Sequence, residues 1–235
     1  QKINTHVFAD VELLMRNMEI VTAHLSDRNR VAGKDPATCG IILLQTEYES
    51  SWIELENEGC WRMCWYIEDH VSYDSAHNAD IAAEGGRVIG RFHEMLSDLS
   101  PGLLGETIPR FHDPDDRIAR FRKAVEKASP PRKSQAVEWI AFSEEHLEEA
   151  LVPYRRSERG VLPGRIVHND PKFNNILFDR SGRGKCMIDL DTVMSGYTWY
   201  DFGDALRTCA SLAPEDEADL SAVGFSMDVF RAFSR

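Results

Sequence analysis

Apolar residues at Val11, Leu14, Met15, Met18, Val21 and Leu25 recur at three- and four-residue steps. That period puts all six on one stripe of an α-helix. Asp10, just ahead of them, can accept from the first free amides, so the helix is expected to start there. The pattern then changes. Cys39 to Leu44 is a continuous apolar run, and Ser51 to Leu55 is divided from the next run by the turn signal Asn57-Glu58-Gly59. In that next run Trp61, Met63, Trp65 and Ile67 alternate with Cys60, Arg62, Cys64 and Tyr66, the two-residue period of a strand. Trp61 and Trp65, large and on one side, are expected in the core.

Beyond His70 helical periods dominate. Ile81, Gly85, Val88, Ile89, Phe92 and Leu96 share one helical face. Gly85, Gly86 and Gly90 weaken a helix, so they imply close packing against a neighbour. Asp113-Pro114 reads as the cap and first residue of another helix, running to about Lys127. Pro130-Pro131 reads as a break before a helix carrying Val137, Ile140, Leu147 and Leu151. A short strand, Arg165 to Val167, leads into His168. Ile176 to Phe178, the turn Ser181-Gly182 and Cys186 to Ile188 make a hairpin. Helices near 200–210 and 226–235 close the chain. The expectation is an α+β architecture in two parts: a small β-rich part over 1–69 and a larger, mainly helical part over 70–235.

Composition narrows the partners. The formal net charge of −12 repels a phosphate backbone or an anionic membrane, so neither nucleic acid nor membrane is an expected partner. The longest aliphatic run, Ile41 to Leu44, is far short of the roughly 18 residues of a membrane span. Five cysteines without a CxxC pair read as reduced thiols in a cytoplasmic protein. Oligomeric state leaves no mark in the sequence. The chain opens at Gln1 and stops within a helical pattern, which reads as a piece of a longer protein.

Chemistry concentrates in His168-Asn169-Asp170-Pro171-Lys172-Phe173-Asn174-Asn175 and in Ile188-Asp189-Leu190-Asp191. Phosphoryl transfer from ATP needs a base for the acceptor hydroxyl and hard oxygen ligands for Mg²⁺. Asp170 can be the base. Asn175 can offer an amide oxygen and Asp189 a carboxylate, and the hairpin brings the two segments together. Lys172 adds a positive charge for the transferring phosphate.

These segments resemble the aminoglycoside phosphotransferase/choline kinase superfamily, which has the protein-kinase-like fold. Within it the wording is most similar to bacterial N-acetylhexosamine 1-kinases. The similarity extends through Glu106-Thr107-Ile108-Pro109, Tyr200-Asp201-Phe202-Gly203-Asp204 and Gln1-Lys2-Ile3-Asn4, while Pro171 stands where those kinases have threonine. The resemblance implies ATP and Mg²⁺ as cofactors and a small, sugar-like acceptor, phosphorylated at its anomeric hydroxyl. It implies Asp170 as catalytic base, Lys172 as a catalytic phosphate contact, and Asn175 and Asp189 as metal ligands. Asp201 is implied as a support that accepts backbone hydrogen bonds from the catalytic loop. It also implies a glycine-rich loop upstream of Gln1 and sugar contacts beyond Arg235, so residues 1–235 alone are expected to be idle.

Plainer roles stand beside these. His168 reads as a loop organiser bonded to backbone. Asp191 is open between a metal carboxylate and a residue that starts a helix. The other histidines lack paired spacing for zinc. Glu215-Asp216-Glu217 reads as a solvated face. Three alternatives to a hexosamine kinase follow: a phosphotransferase for an aminoglycoside, choline-like or other sugar acceptor; a nucleotide-binding pseudokinase; and a metal-dependent phosphohydrolase.

Overall fold

The computed structural model describes residues Gln1–Arg235, which form two compact units. One comprises Gln1–Ile108 and Arg165–Arg235, the other Pro109–Gly164. The first unit opens with α1 (Val11–Val31), α2 (Pro36–Cys39), β1 (Trp52–Leu55), β2 (Gly59–Arg62) and α3 (Ala79–Met95). The second unit holds α4 (Pro114–Lys127), α5 (Pro130–Gln135), α6 (Val137–Ala150) and α7 (Val152–Glu158). The first unit resumes with β3 (Arg165–Val167), β4 (Ile176–Phe178), β5 (Gly184–Met187), β6 (Met194–Gly196), α8 (Thr198–Cys209) and α9 (Met227–Phe233). No helix is long and apolar enough to cross a membrane.

Local chemistry explains the element starts. Asp10 accepts from Leu13 N at 2.9 Å, and Asn78 from Ile81 N at 2.9 Å. Each such cap stabilises its helix by about 1 kcal/mol. Behind the cap, α1 buries Leu14, Met15, Met18 and Val21, each at most 1% exposed. Burying a side chain of this size contributes about 1.5–3 kcal/mol. The apolar face of α3 joins the same core, together with Phe173, Ile176 and Phe178. At Gly85 the helix meets Phe173: a Cβ there would stand 2.4 Å from Cε2 of the ring. At Gly86 a Cβ would stand 2.3 Å from the Phe233 carbonyl oxygen of α9. Gly90 has nothing within 4 Å, so close packing does not account for it.

The three sheets are two-stranded and antiparallel: β1 with β2, β3 with β6, and β4 with β5. The β1–β2 turn places Asn57 and Gly59 in the left-handed region (φ 63° and 80°), which asparagine and glycine tolerate. Lys2 adds an antiparallel bridge to Trp61.

The inward side of β2 is the reverse of that expected. Cys60 and Arg62 are buried, Trp61 is half-buried, and Trp65 is 59% exposed. An alternating pattern defines two sides without saying which faces in. Here the guanidinium goes inward because it finds partners: Asp191 Oδ1 at 2.5 Å, Gln1 Oε1 at 3.0 Å and Met18 Sδ at 2.8 Å. Two further expectations need correction. Cys39 lies in α2 rather than a strand, because Asp35 accepts from Ala37 N and Pro36 presets the helical φ. Pro130-Pro131 follows a break after Lys127 and itself opens the short α5, Pro130 presetting the helical φ, before the helix that carries Val137.

Candidate active site

The chain from β3 to α8 builds the site. β3 ends in His168 and Asn169, and here the backbone bends sharply: Asn169 takes φ 65°, a left-handed conformation that few residues other than glycine adopt. One buried carboxylate holds the bend. Asp201, fully buried in the first turn of α8, accepts from His168 N at 2.7 Å and from Asn169 N at 2.8 Å. Its Oδ2 also receives His93 Nε2 at 2.6 Å, from the last turn of α3. A negative charge in the first turn of α8 is further favoured by the helix dipole.

The far end of the loop is tied to the same helix. Thr208 Oγ1 accepts from Phe173 N at 3.0 Å. Asp201 and Thr208 are seven residues apart, two helical turns, so they lie on one side of α8 and clamp the loop at both ends. Between the clamps, Asn175 Nδ2 donates to the Asp170 carbonyl at 2.9 Å. That bond uses the amide's nitrogen and leaves its oxygen for a cation.

The hairpin then returns the chain. Ile188 N donates to Asn175 O at 2.9 Å, and the buried ring of His168 donates from Nε2 to Ile188 O at 2.9 Å. A carbonyl only accepts, so Nε2 carries the proton of this bond. Asp189 follows in the left-handed region (φ 61°, ψ 58°) and opens the 3₁₀ turn Leu190–Thr192. Thr192 closes the circle, its Oγ1 donating to His168 O at 2.8 Å and its carbonyl accepting Asn169 Nδ2 at 3.0 Å. Asn169 and Asp189 both take the left-handed conformation, which asparagine and aspartate adopt more readily than other side chains, and the surrounding bonds hold it in place.

Charge follows from this geometry. Loss of solvent pushes the Asp170 carboxyl up; Lys172 opposes the rise, and Asp204 and Asp189 add to it. Asp189 is also pushed up, first by protein crowding one side of it and then by Asp191, although its other side opens to solvent. Lys172 Nζ lies 3.8 Å from Asp170 Oδ1 and 3.7 Å from Glu215 Oε2. Asp191 Oδ1 pairs with Arg62 Nη1 at 2.5 Å. The thiols of Cys186 and Cys209, by contrast, are pushed up to about 12 by burial and suit packing alone.

The oxygen set fits Mg²⁺, which keeps several waters and substrate oxygens and asks the protein for only one or two carboxylates. Asp189 would supply a carboxylate and Asn175 an amide oxygen, while no group of three or more His, Cys, Asp or Glu forms a complete cage. The like-charge crowding of Asp170, Asp189 and Asp191 is the kind of cost a divalent cation relieves.

The structure thus brings His168, Asp170, Lys172, Asn175, Asp189 and Asp201 together around one loop, with Asp191 turned to Arg62. Periodicity missed His93, Thr208, Arg62 and Arg207. The seven-residue spacing of Asp201 and Thr208 was the one available signal. Glu215, expected in a solvated face, is exposed but paired with Lys172 and Arg207.

Comparison with known proteins gives the family and the fold. Residues 10–233 match the phosphotransferase enzyme family. Among solved structures, the chain is similar to an aminoglycoside phosphotransferase from Alicyclobacillus acidocaldarius, with TM-score 0.55 and 12% identity, over 80% of this chain and 57% of that one. It therefore spans little more than half the length of that relative. It also aligns with the aminoglycoside phosphotransferase APH(3'')-Id of Streptomyces rimosus, at TM-score 0.44 and 16% identity, over 93% of this chain and 80% of that one. The fold is the mixed helix-and-strand, protein-kinase-like fold of aminoglycoside phosphotransferases. With the family matched along nearly its whole length, the chain belongs to the phosphotransferase enzyme family.

Proposed function

We propose that the protein is an ATP- and Mg²⁺-dependent kinase for the hydroxyl of a small molecule, with an N-acetylhexosamine as the favoured acceptor. The observation that carries the chemistry is the pair of short contacts, Asn175 Nδ2 to Asp170 O and Ile188 N to Asn175 O, at 2.9 Å each. They hold a prospective base, amide ligand and acid ligand on one braced loop. In this reading Asp170 orients the acceptor hydroxyl and takes its proton. The raised pKa makes Asp170 a stronger base than an ordinary aspartate. Lys172 contacts the transferring phosphoryl group as a mobile point charge. Asn175 and Asp189 would hold Mg²⁺, which when bound would neutralise charge on the phosphates. His168, Asp201 and Asp191 position these groups without touching substrate.

The acceptor rests on the wording of the catalytic loop and the Cys186–Met194 segment. A second acceptor class is favoured by one observation: Asp170, Asp204 and Glu215 lie in one charge network with only Lys172 and Arg207 against them. Such a surplus suits an amino-bearing acceptor. ADP release by the full-length protein, measured with ATP and, separately, N-acetylglucosamine, N-acetylgalactosamine, an aminoglycoside and choline, tests both. Release stimulated by an N-acetylhexosamine supports the favoured acceptor. Stimulation confined to the amino compounds moves the assignment to them, and release indifferent to any acceptor removes the kinase reading.

A further inference from the structure

Residues Ser211–Phe225 form a loop closed at its neck. Ser211 bridges Phe225, Leu212 N donates to Gly224 O at 3.0 Å, and Ser226 N donates to Ala210 O at 2.9 Å. The loop carries Glu215, and its two carboxylate oxygens are divided between two cations. Oε1 accepts Arg207 Nη1 at 2.6 Å, while Oε2 lies 3.7 Å from Lys172 Nζ. Arg207 is itself fixed to α8 by a fork, Nε and Nη2 both on Asp204 Oδ1 at 3.1 and 2.8 Å. The Arg207 bond also holds the Glu215 carboxyl below its usual range, so it stays ionised. The result is a carboxylate anchored on one side and extended toward Lys172 on the other.

Lys172 is held differently. Its ammonium stands almost midway between Asp170 and Glu215, at 3.8 and 3.7 Å, outside direct hydrogen-bond range of both. Both members of the Lys172–Glu215 pair are partly exposed, and such pairs are weak and reversible. An ammonium shared at these distances is free to move to a third anion.

We propose that Glu215 is a positioning residue that competes with the transferring phosphoryl group for Lys172, and this rests on the kinase reading above. Glu215 keeps the ammonium beside Asp170 while no nucleotide is bound, yields it to the terminal phosphate on binding, and recovers it as the phosphorylated product leaves. The competition acts on the terminal phosphate alone, so ATP-like and ADP-like ligands respond differently.

Calorimetry with the Mg²⁺ complexes of β,γ-imido-ATP and of ADP tests this on the full-length protein as wild type, Glu215→Gln, Lys172→Met and the double variant. Glu215→Gln is expected to tighten the imido analogue about two- to fivefold, the scale of an exposed ion pair, and to leave ADP unchanged. In the Lys172→Met background the tightening is expected to vanish, because the residue being competed for is gone. A wild type that binds both nucleotides while Glu215→Gln binds the analogue equally or more weakly overturns this inference alone. So does tightening that persists without Lys172. A wild type that binds neither nucleotide overturns the kinase reading and the inference with it.

Discussion

Asp170 and Asp189 are carboxylates kept in an environment that resists their charge, and that choice costs stability. Each has a pKa raised above the unfolded value. For an acid shifted upward, the folded state is favoured most below the unfolded pKa, and that advantage is lost as pH rises through the folded one. Asp189→Asn removes the charge while keeping the shape. It is therefore expected to raise Tm at pH 7–8 in the absence of Mg²⁺, with the gain shrinking toward pH 4 as the native carboxyl becomes protonated. Thermal melts across that range check the sign, and a variant less stable than the parent at pH 8 contradicts it. Arg62 teaches the converse lesson at the same scale. Its burial was not legible in the strand pattern, because the partner that draws it inward, Asp191, lies far along the chain.

At the scale of elements, α1, α3 and α8 do most of the positioning, and their legibility differs by cause. The apolar stripes and the Asp10 cap are local, so period and side-chain chemistry were enough to place the helices. The clamp on the 168–175 loop is not local: Asp201 and Thr208 reach it from α8, His93 of α3 braces Asp201, and no spacing pairs α3 with α8. The glycines of α3 separate packing from propensity. Gly85→Ala drives a methyl into Phe173, which lies beside the loop; overpacking of this kind costs about 1–3 kcal/mol. Gly90→Ala meets nothing and is expected to stabilise by roughly 0.4–1 kcal/mol through helix propensity and a less flexible unfolded chain. Urea denaturation of the two variants checks the opposite signs. Equal effects contradict the close contact at Gly85.

For the molecule as a whole, residues 168–175 were legible because a contiguous loop keeps its own groups together. The hairpin signal was enough to bring Asp189 beside them. The acceptor is less legible, since its contacts depend on surfaces that no short motif encodes. The central claim is that this scaffold presents Asp170 to an acceptor hydroxyl as a base, separately from nucleotide binding. Its most direct test is Asp170→Asn in the full-length protein, measured in parallel for acceptor-dependent ADP release and for affinity toward the Mg²⁺ complex of ATP. Loss of a general base is expected to lower turnover by about 10²–10⁴-fold, with nucleotide affinity within about twofold of the parent. Turnover close to that of the parent, or a loss explained wholly by weakened nucleotide binding, contradicts the account.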